Sequence, residues 1–204
     1  MRLGILGGSF DPLHYGHLLL AEVCREEARL DEVWLMPTAT SPHKPAGSSA
    51  SAEQLMEMVQ LAIAGHPQLV ASRLEIDRGG TSYTVETLGQ VAAEMQDAEL
   101  FLLMGADTLH DLPSWREPAR ICQLATLLVT QRQGSQDPRF DLLEEIVSAD
   151  RLATIRQSAI TLPQLEISSS ELRRRAASGQ SLRYRTPRAV EEYIHNAGIY
   201  RETE

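Results

Sequence analysis

Lysine is almost missing from this 204-residue chain: Lys44 stands alone against 18 arginines. A GC-rich coding bias accounts for the arginine excess but not for where the one lysine sits. Cysteine is nearly as scarce. Cys24 and Cys122 belong to no CxxC or Cys/His set, which excludes a disulfide framework and points to reduced core thiols in a cytoplasmic protein. Positive charge is in deficit, with 28 acidic against 19 basic residues and a net charge of −9. That balance argues against a protein that coats nucleic acid. No apolar run approaches the ~20 residues that span a bilayer, so no membrane partner is expected. The opening MRLGILGGSFDP is too short for a signal peptide and is interrupted by Asp11 and Pro12.

What is present is globular: 43% hydrophobic and 23% charged residues, enough to bury a substantial core. One domain over 1–204 is expected, with a small C-terminal helical part from about residue 168 to 204. Arg2–Gly8 is a short apolar run stopped by paired glycines and reads as a buried parallel strand. Leu18–Leu30 has helical spacing, and Glu32–Met36 is a second strand closed by Pro37. Together they make one βαβ unit. Residues 37–52 read as a loop, and Ser51–Ala64 as a helix. Leu69–Ile76 reads as a strand, Thr84–Met95 as a helix and Leu100–Met104 as the clearest buried strand. Trp115–Gln123 reads as a helix, Ala125–Thr130 as a strand and Asp141–Ala149 as a helix. Ala153–Ile155 and Ile160–Leu162 are weaker strands, and Ser168–Ser178 and Pro187–Ala197 close the chain as helices. The alternation predicts an α/β fold with a mostly parallel sheet flanked by helices. In such sheets ligands sit beyond the carboxyl ends of the strands, where Gly7, Gly8, Pro37 and Gly105 fall.

The first of these ends carries the densest motif, Gly7-Gly8-Ser9-Phe10-Asp11-Pro12-Leu13-His14-Tyr15-Gly16-His17. It is neither a Walker A loop nor GxGxxG. Gly7 and Gly8 let the backbone approach a ligand closely. His14 and His17, three apart at a helix start, fall on nearly one face, and Gly16 between them leaves space for a bulky anion. A helix N-terminus favours negative charge, so two imidazole donors there suit a polyphosphate. An HxxH pair also suits a metal, but no third ligand lies nearby, and no protein-held metal is expected.

GSFDPLHYGH resembles the signature of the HxGH nucleotidyltransferases, and the chain is more closely similar to the bacterial nicotinate-nucleotide adenylyltransferases. The resemblance runs from Leu3 to Tyr200. It implies a Rossmann-like nucleotidyltransferase fold and adenylyl transfer from ATP to nicotinate mononucleotide, giving deamido-NAD and pyrophosphate in NAD biosynthesis. It implies small-molecule partners only, with Mg²⁺ arriving with ATP, and leaves the oligomeric state open.

The resemblance also assigns residues. His14 and His17 contact ATP phosphates and stabilise charge at the α-phosphorus, with Lys44 and Arg173 as further catalytic cations. Gly7, Gly8, Ser9, Phe10, Gly105, Asp107, Ile167, Ser168 and Ser169 join them in binding ATP. Lys44, Tyr83, Thr84, Trp115 and Arg132 take the mononucleotide: Trp115 stacks on the pyridine ring and Arg132 meets its phosphate. Three positions depart from the family pattern: Ser41 for Pro in PPHK, Glu86 for Asp in SYTxDTL, and Ser170 for Thr in ISSTxxR.

Local readings stand beside these. Thr84 and Asp107 each suit a helix cap, and Ser168 with Glu171 suits a capping box. Trp34, mid-strand, reads as core, while Trp115 after a Pro-Ser turn reads as exposed. Arg174 and Arg175 read as exposed, and His195 as a residue of a packing helix. Two other readings share some of these features: another HxGH enzyme, such as a phosphopantetheine adenylyltransferase or a cytidylyltransferase, and a non-catalytic nucleotide-binding module. The SYT, LPSW and PHK segments favour the pyridine substrate over the first. Intact His14, His17, Lys44 and Arg173 argue against the second.

Overall fold

A computed structural model of the chain describes residues 1–40, 48–134 and 137–201. Six strands form one sheet: β1 (Arg2–Gly8), β2 (Glu32–Pro37), β3 (Leu69–Ala71), β4 (Glu99–Gly105), β5 (Thr126–Arg132) and β6 (Ile160–Leu162). Their order is β3-β2-β1-β4-β5-β6. The pairs β1–β4, β4–β5 and β5–β6 are parallel. This is the Rossmann-like order, in which the sense of winding reverses between β1 and β4.

Nine helices are assigned among the described residues: α1 (Tyr15–Glu27), α2 (Ala52–Ile63), α3 (Leu74–Arg78), α4 (Thr84–Glu94), α5 (Ala106–Asp111), α6 (Pro118–Leu124), α7 (Ala149–Gln157), α8 (Ser169–Ala177) and α9 (Arg188–Asn196). No helix among these residues is long and apolar enough to cross a membrane.

The chain packs as two compact units, each drawn from three stretches. Met1–Leu6, Leu20–Trp34 and Tyr83–Gln164 form one; Gly7–Leu19, Leu35–Ser82 and Leu165–Glu204 form the other. In the first unit Leu100–Met104 of β4 are all buried, as expected of a strand covered on both faces. Truncating one such leucine to alanine costs about 2–5 kcal/mol. Gly4 is part of this core for a steric reason. A Cβ there would lie 2.7 Å from Leu30 Cδ1 and 3.0 Å from Val33 Cγ2.

The second unit has its own apolar cluster. Leu55 and Met58 of α2 pack with Leu172 of α8, Val190 and Ile194 of α9, and Leu182 and Ile199. Helix α2 starts where the sequence signals it. Ser51 accepts from Gln54 N while the Gln54 side chain accepts from Ser51 N, a complete capping box.

Several elements differ from expectation. α1 begins at Tyr15 rather than Leu18, because Leu18 N already donates to the His14 carbonyl. The strand expected over Leu69–Ile76 stops at Ala71, and Leu74–Arg78 is helical. Arg73 bridges Glu53 and Asp77 there, and Asp77 N donates to Arg73 O. Ala153–Ile155 is not a strand but the interior of α7, capped by Ser148. The helix expected over Asp141–Ala149 is only a short 3-10 turn, Phe140–Leu143. α5 is an element that periodicity does not reveal, and α6 begins at Pro118 rather than Trp115. Trp34 is half-buried rather than core. Val33 and Leu35 fill the buried face of β2, and Trp34 donates from the other face to Glu32.

Candidate active site

The turn from β1 to α1 lies in the second unit. Phe10 is buried with φ +44°, and its ring stands edge-on to the His17 ring at 5.1 Å between centroids. The His14 and His17 rings lie nearly parallel, 3.7 Å between centroids and 21° between planes. His14 Nδ1 accepts from Gly16 N at 3.1 Å, and His17 Nδ1 accepts from His14 N at 3.3 Å. A nitrogen that accepts cannot carry the proton. Each neutral ring is therefore the Nε2–H tautomer, with Nε2 as its donor.

Gly16 has a different role from the one expected. A Cβ at this position would stand 3.0 Å from both Cε1 and Nδ1 of His14. Its bareness makes room for the imidazole, and its N–H orients that ring.

Sequence reasoning misses Asp11, which is 3% exposed. Its carboxylate accepts from Ser49 N at 2.8 Å, Ala50 N at 3.2 Å and the Tyr200 hydroxyl at 2.7 Å. The Arg173 guanidinium lies 3.9 Å away. Burial, and secondarily the bond to Asp11, push the Tyr200 phenol well above its ordinary range. Asp11 stands inside the first motif, but its role carries no local signal, because its partners are far away in sequence.

The segment Ile167–Arg173 opens α8 in the same unit. Ser168 caps the helix, accepting from Glu171 N at 3.2 Å. The predicted box is only half made, since the Glu171 carboxylate pairs with Arg174 instead. Ser169 donates to Pro12 O at 2.9 Å, and Arg173 donates to Asp11 O at 2.7 Å and to Ser170 Oγ at 3.3 Å. Ile167 packs against the apolar cluster of this unit. Arg174 is exposed as expected, whereas Arg175 is half-buried and donates to Ser181 O. Gly7 is exposed, and a Cβ there would meet nothing within 4 Å, while Gly8 abuts the Phe10 ring. Thus Gly7, Gly8, Ser9, Phe10, His14, His17, Ile167, Ser168, Ser169 and Arg173 all fall in one unit.

Tyr83, Thr84, Gly105, Asp107, Trp115 and Arg132 fall in the other unit. Tyr83, not Thr84, occupies the N-cap of α4, and no side chain caps that helix. Glu86 N and Thr87 N donate to Tyr83 O, so only the N–H groups of Thr84 and Val85 precede the first helical bond at the positive dipole end. Arg116 stacks over the Tyr83 ring at 4.8 Å and donates to Glu86 at 2.6 Å, so the departure at Glu86 has a structural partner. Gly105 is the N-cap of α5, and Asp107 is an exposed residue of its first turn rather than the cap. Trp115 is half-buried rather than exposed, following a 3-10 turn held by Ser114 Oγ on Asp111 O. Arg132 ends β5 and is exposed. Lys44 and Ser41 lie outside the described residues.

Known proteins are similar to this chain in sequence and in fold. A family described as cytidylyltransferase-like matches residues 5–175. A protein of Thermomicrobium roseum named probable nicotinate-nucleotide adenylyltransferase is 42% identical over 203 residues, covering 100% of this chain and 93% of its own. A Thermus thermophilus protein of the same name is 43% identical, covering 98% and 100% respectively. The structure of Plasmodium falciparum nicotinic acid mononucleotide adenylyltransferase complexed with NaAD shares the fold, with a TM-score of 0.75. It is 17% identical over 98% of this chain and 97% of that one. The chain belongs to the nicotinate-nucleotide adenylyltransferase family and carries its cytidylyltransferase-like domain.

Proposed function

We propose that this protein transfers the adenylyl group of ATP to nicotinate mononucleotide, releasing pyrophosphate and deamido-NAD. The observation that carries the reading is the stacked histidine pair, both of whose Nδ1 atoms are occupied by backbone N–H groups. A mononucleotide 5′-phosphate oxygen attacks the α-phosphorus in line. A new P–O bond forms as the bond from the α-phosphorus to the bridging oxygen breaks and pyrophosphate departs. Charge builds on the α-phosphoryl oxygens and the leaving oxygen, and Nε2–H donors and Arg173 oppose it. Positioning and electrostatics suffice for such a step, and no protein nucleophile is invoked.

ATP enters as its Mg²⁺ complex, the ion being held by phosphate oxygens. The Asp11 carboxylate is already committed to Ser49, Ala50 and Tyr200, so it positions protein groups rather than a metal. We assign the triphosphate to the turn Gly7–His17 and to Ile167–Arg173, and the ribose to Gly105 and Asp107. Tyr83, Thr84 and Trp115 take the pyridine end, where the uncapped start of α4 suits the nicotinate carboxylate. Lys44 and Arg132 take the mononucleotide phosphate. The test is a side-by-side rate measurement with ATP and either nicotinate or nicotinamide mononucleotide. Faster turnover of the acid is expected, and equal rates overturn the acid-specific assignment.

A further inference from the structure

The residues between β1 and α1 lead into His14, with His17 already inside α1, so the carbonyls that precede that of His14 have no ladder or helical partner of their own. Three consecutive ones are nevertheless bonded, each by a side chain from the C-terminal part of the same unit. Asp11 O accepts from Arg173 Nη1 at 2.7 Å, Pro12 O from Ser169 Oγ at 2.9 Å, and Leu13 O from Thr186 Oγ1 at 2.7 Å. Tyr15 N completes the series by donating to Arg185 O at 3.1 Å. The Asp11 carboxylate is held in turn by Tyr200. Asp11, Leu13, His14 and Thr186 are all buried.

We infer that Thr186 and Tyr200 are positioning residues for the histidine pair, acting through the Leu13 carbonyl and the Asp11 carboxylate. Leu13 O belongs to the peptide that joins Leu13 to His14, and the N–H of that same peptide is the donor to His17 Nδ1. One peptide plane therefore ties the Thr186 hydroxyl to the His17 ring. Rotating that plane to find another partner for a buried, orphaned carbonyl moves the His17 acceptor bond as well. Tyr200 acts one step earlier. Its hydroxyl fixes the carboxylate that ties Asp11 to Ser49 and Ala50, with Arg173 beside it. Ser169 and Arg173 also grip this turn, so they hold the motif in place as well as facing phosphate.

The inference rests on the function proposed above, and its test separates the two. Thr186→Val, Thr186→Ser and Tyr200→Phe are compared with wild type by steady-state kinetics. The ¹⁵N resonances of His14 and His17 are followed in the same proteins. Thr186→Val and Tyr200→Phe are expected to lower kcat about tenfold or more, with KM for the mononucleotide unchanged, because small misplacements of catalytic groups cost rate. Both are expected to shift the His17 Nδ1 resonance, while Thr186→Ser keeps kcat within about twofold. Exposed Arg120→Ala serves as the control that shifts neither.

Unchanged kcat and unchanged histidine resonances in folded Thr186→Val and Tyr200→Phe overturn the inference. Should Thr186→Val not fold, Tyr200→Phe, which keeps its ring, decides alone. Wild-type protein without adenylyl transfer overturns the function instead, and the resonance shifts still decide the positioning.

Discussion

The imidazoles of His14 and His17 stack at 3.7 Å, and the backbone N–H of His14 is the donor to His17 Nδ1. The two side chains are thus one unit, oriented by the peptide between Leu13 and His14. Replacing His17 with alanine removes a donor and is expected to leave the fold intact, since His17 lies outside the apolar cluster of this unit. Turnover is expected to fall about 10²–10³-fold, as for loss of one charge-stabilising donor. Pyrophosphate release is the assay, with circular dichroism as the check on folding. Near-normal turnover contradicts the assignment.

Gly16→Ala separates stability from activity. Alanine favours a helix over glycine by about 1 kcal/mol, so Tm is expected to hold or rise. Its methyl, however, sits 3.0 Å from the His14 ring, which must shift. A fall in kcat of about tenfold or more is expected, because a misaimed group loses rate steeply. A variant as active as wild type shows that the ring position is not limiting.

Glu86 and Arg116 form a half-exposed ion pair at 2.6 Å, and Arg116 covers the Tyr83 ring. Such a pair contributes at most about 1 kcal/mol to stability. Glu86→Gln is therefore expected to leave Tm nearly unchanged while raising KM for the mononucleotide and not for ATP. Glu86→Asp, which keeps the charge, tests whether that effect is electrostatic by restoring the lower KM. Equal changes in both KM values assign the pair no role at the pyridine end.

The two thiols give a pH prediction. Burial pushes Cys24 up to about 12 and Cys122 up to about 11, and Tyr200 is pushed up too. Each group has a folded pKa above its unfolded one. Each therefore contributes stability that is fully present below the unfolded value and is lost as pH rises through the folded one. Tm is expected to decline from about pH 9 upward, where unfolded thiols and then phenols ionise. Iodoacetamide at about pH 8, just below the ordinary thiol range, is expected to label neither cysteine in folded protein and both after denaturation. Labelling of the native protein contradicts the burial assignment.

Much of the fold is legible in the chain because its signals are local. Leu100–Met104 is a continuous apolar run bounded by glycine, and the helix read over Ser51–Ala64 is α2. The failures are equally physical. Leu69–Ile76 carries strand-like residues, but the ion pairs of Arg73 to Glu53 and Asp77 accompany a helical turn instead. Ala153–Ile155 reads as extended because three residues cannot distinguish a strand from the inside of α7. At the site, the histidines and the serine-arginine segment are visible as motifs. The roles of Asp11, inside the first motif, and of Thr186 are not, because a buried carboxylate and a lone threonine gain meaning only from partners 38 to 189 residues away.

Those separations have a consequence for synthesis. Pro12, Leu13 and the Asp11 carboxylate find their partners 157, 173 and 189 positions downstream. At ribosomal speeds of about 5–20 residues per second, the histidine turn is synthesised on the order of ten to forty seconds before Tyr200. A nascent or prematurely terminated chain therefore displays the whole nucleotide signature without the grip that aims it. Such fragments are expected to be inert toward ATP, so the activity is released only with the completed polypeptide.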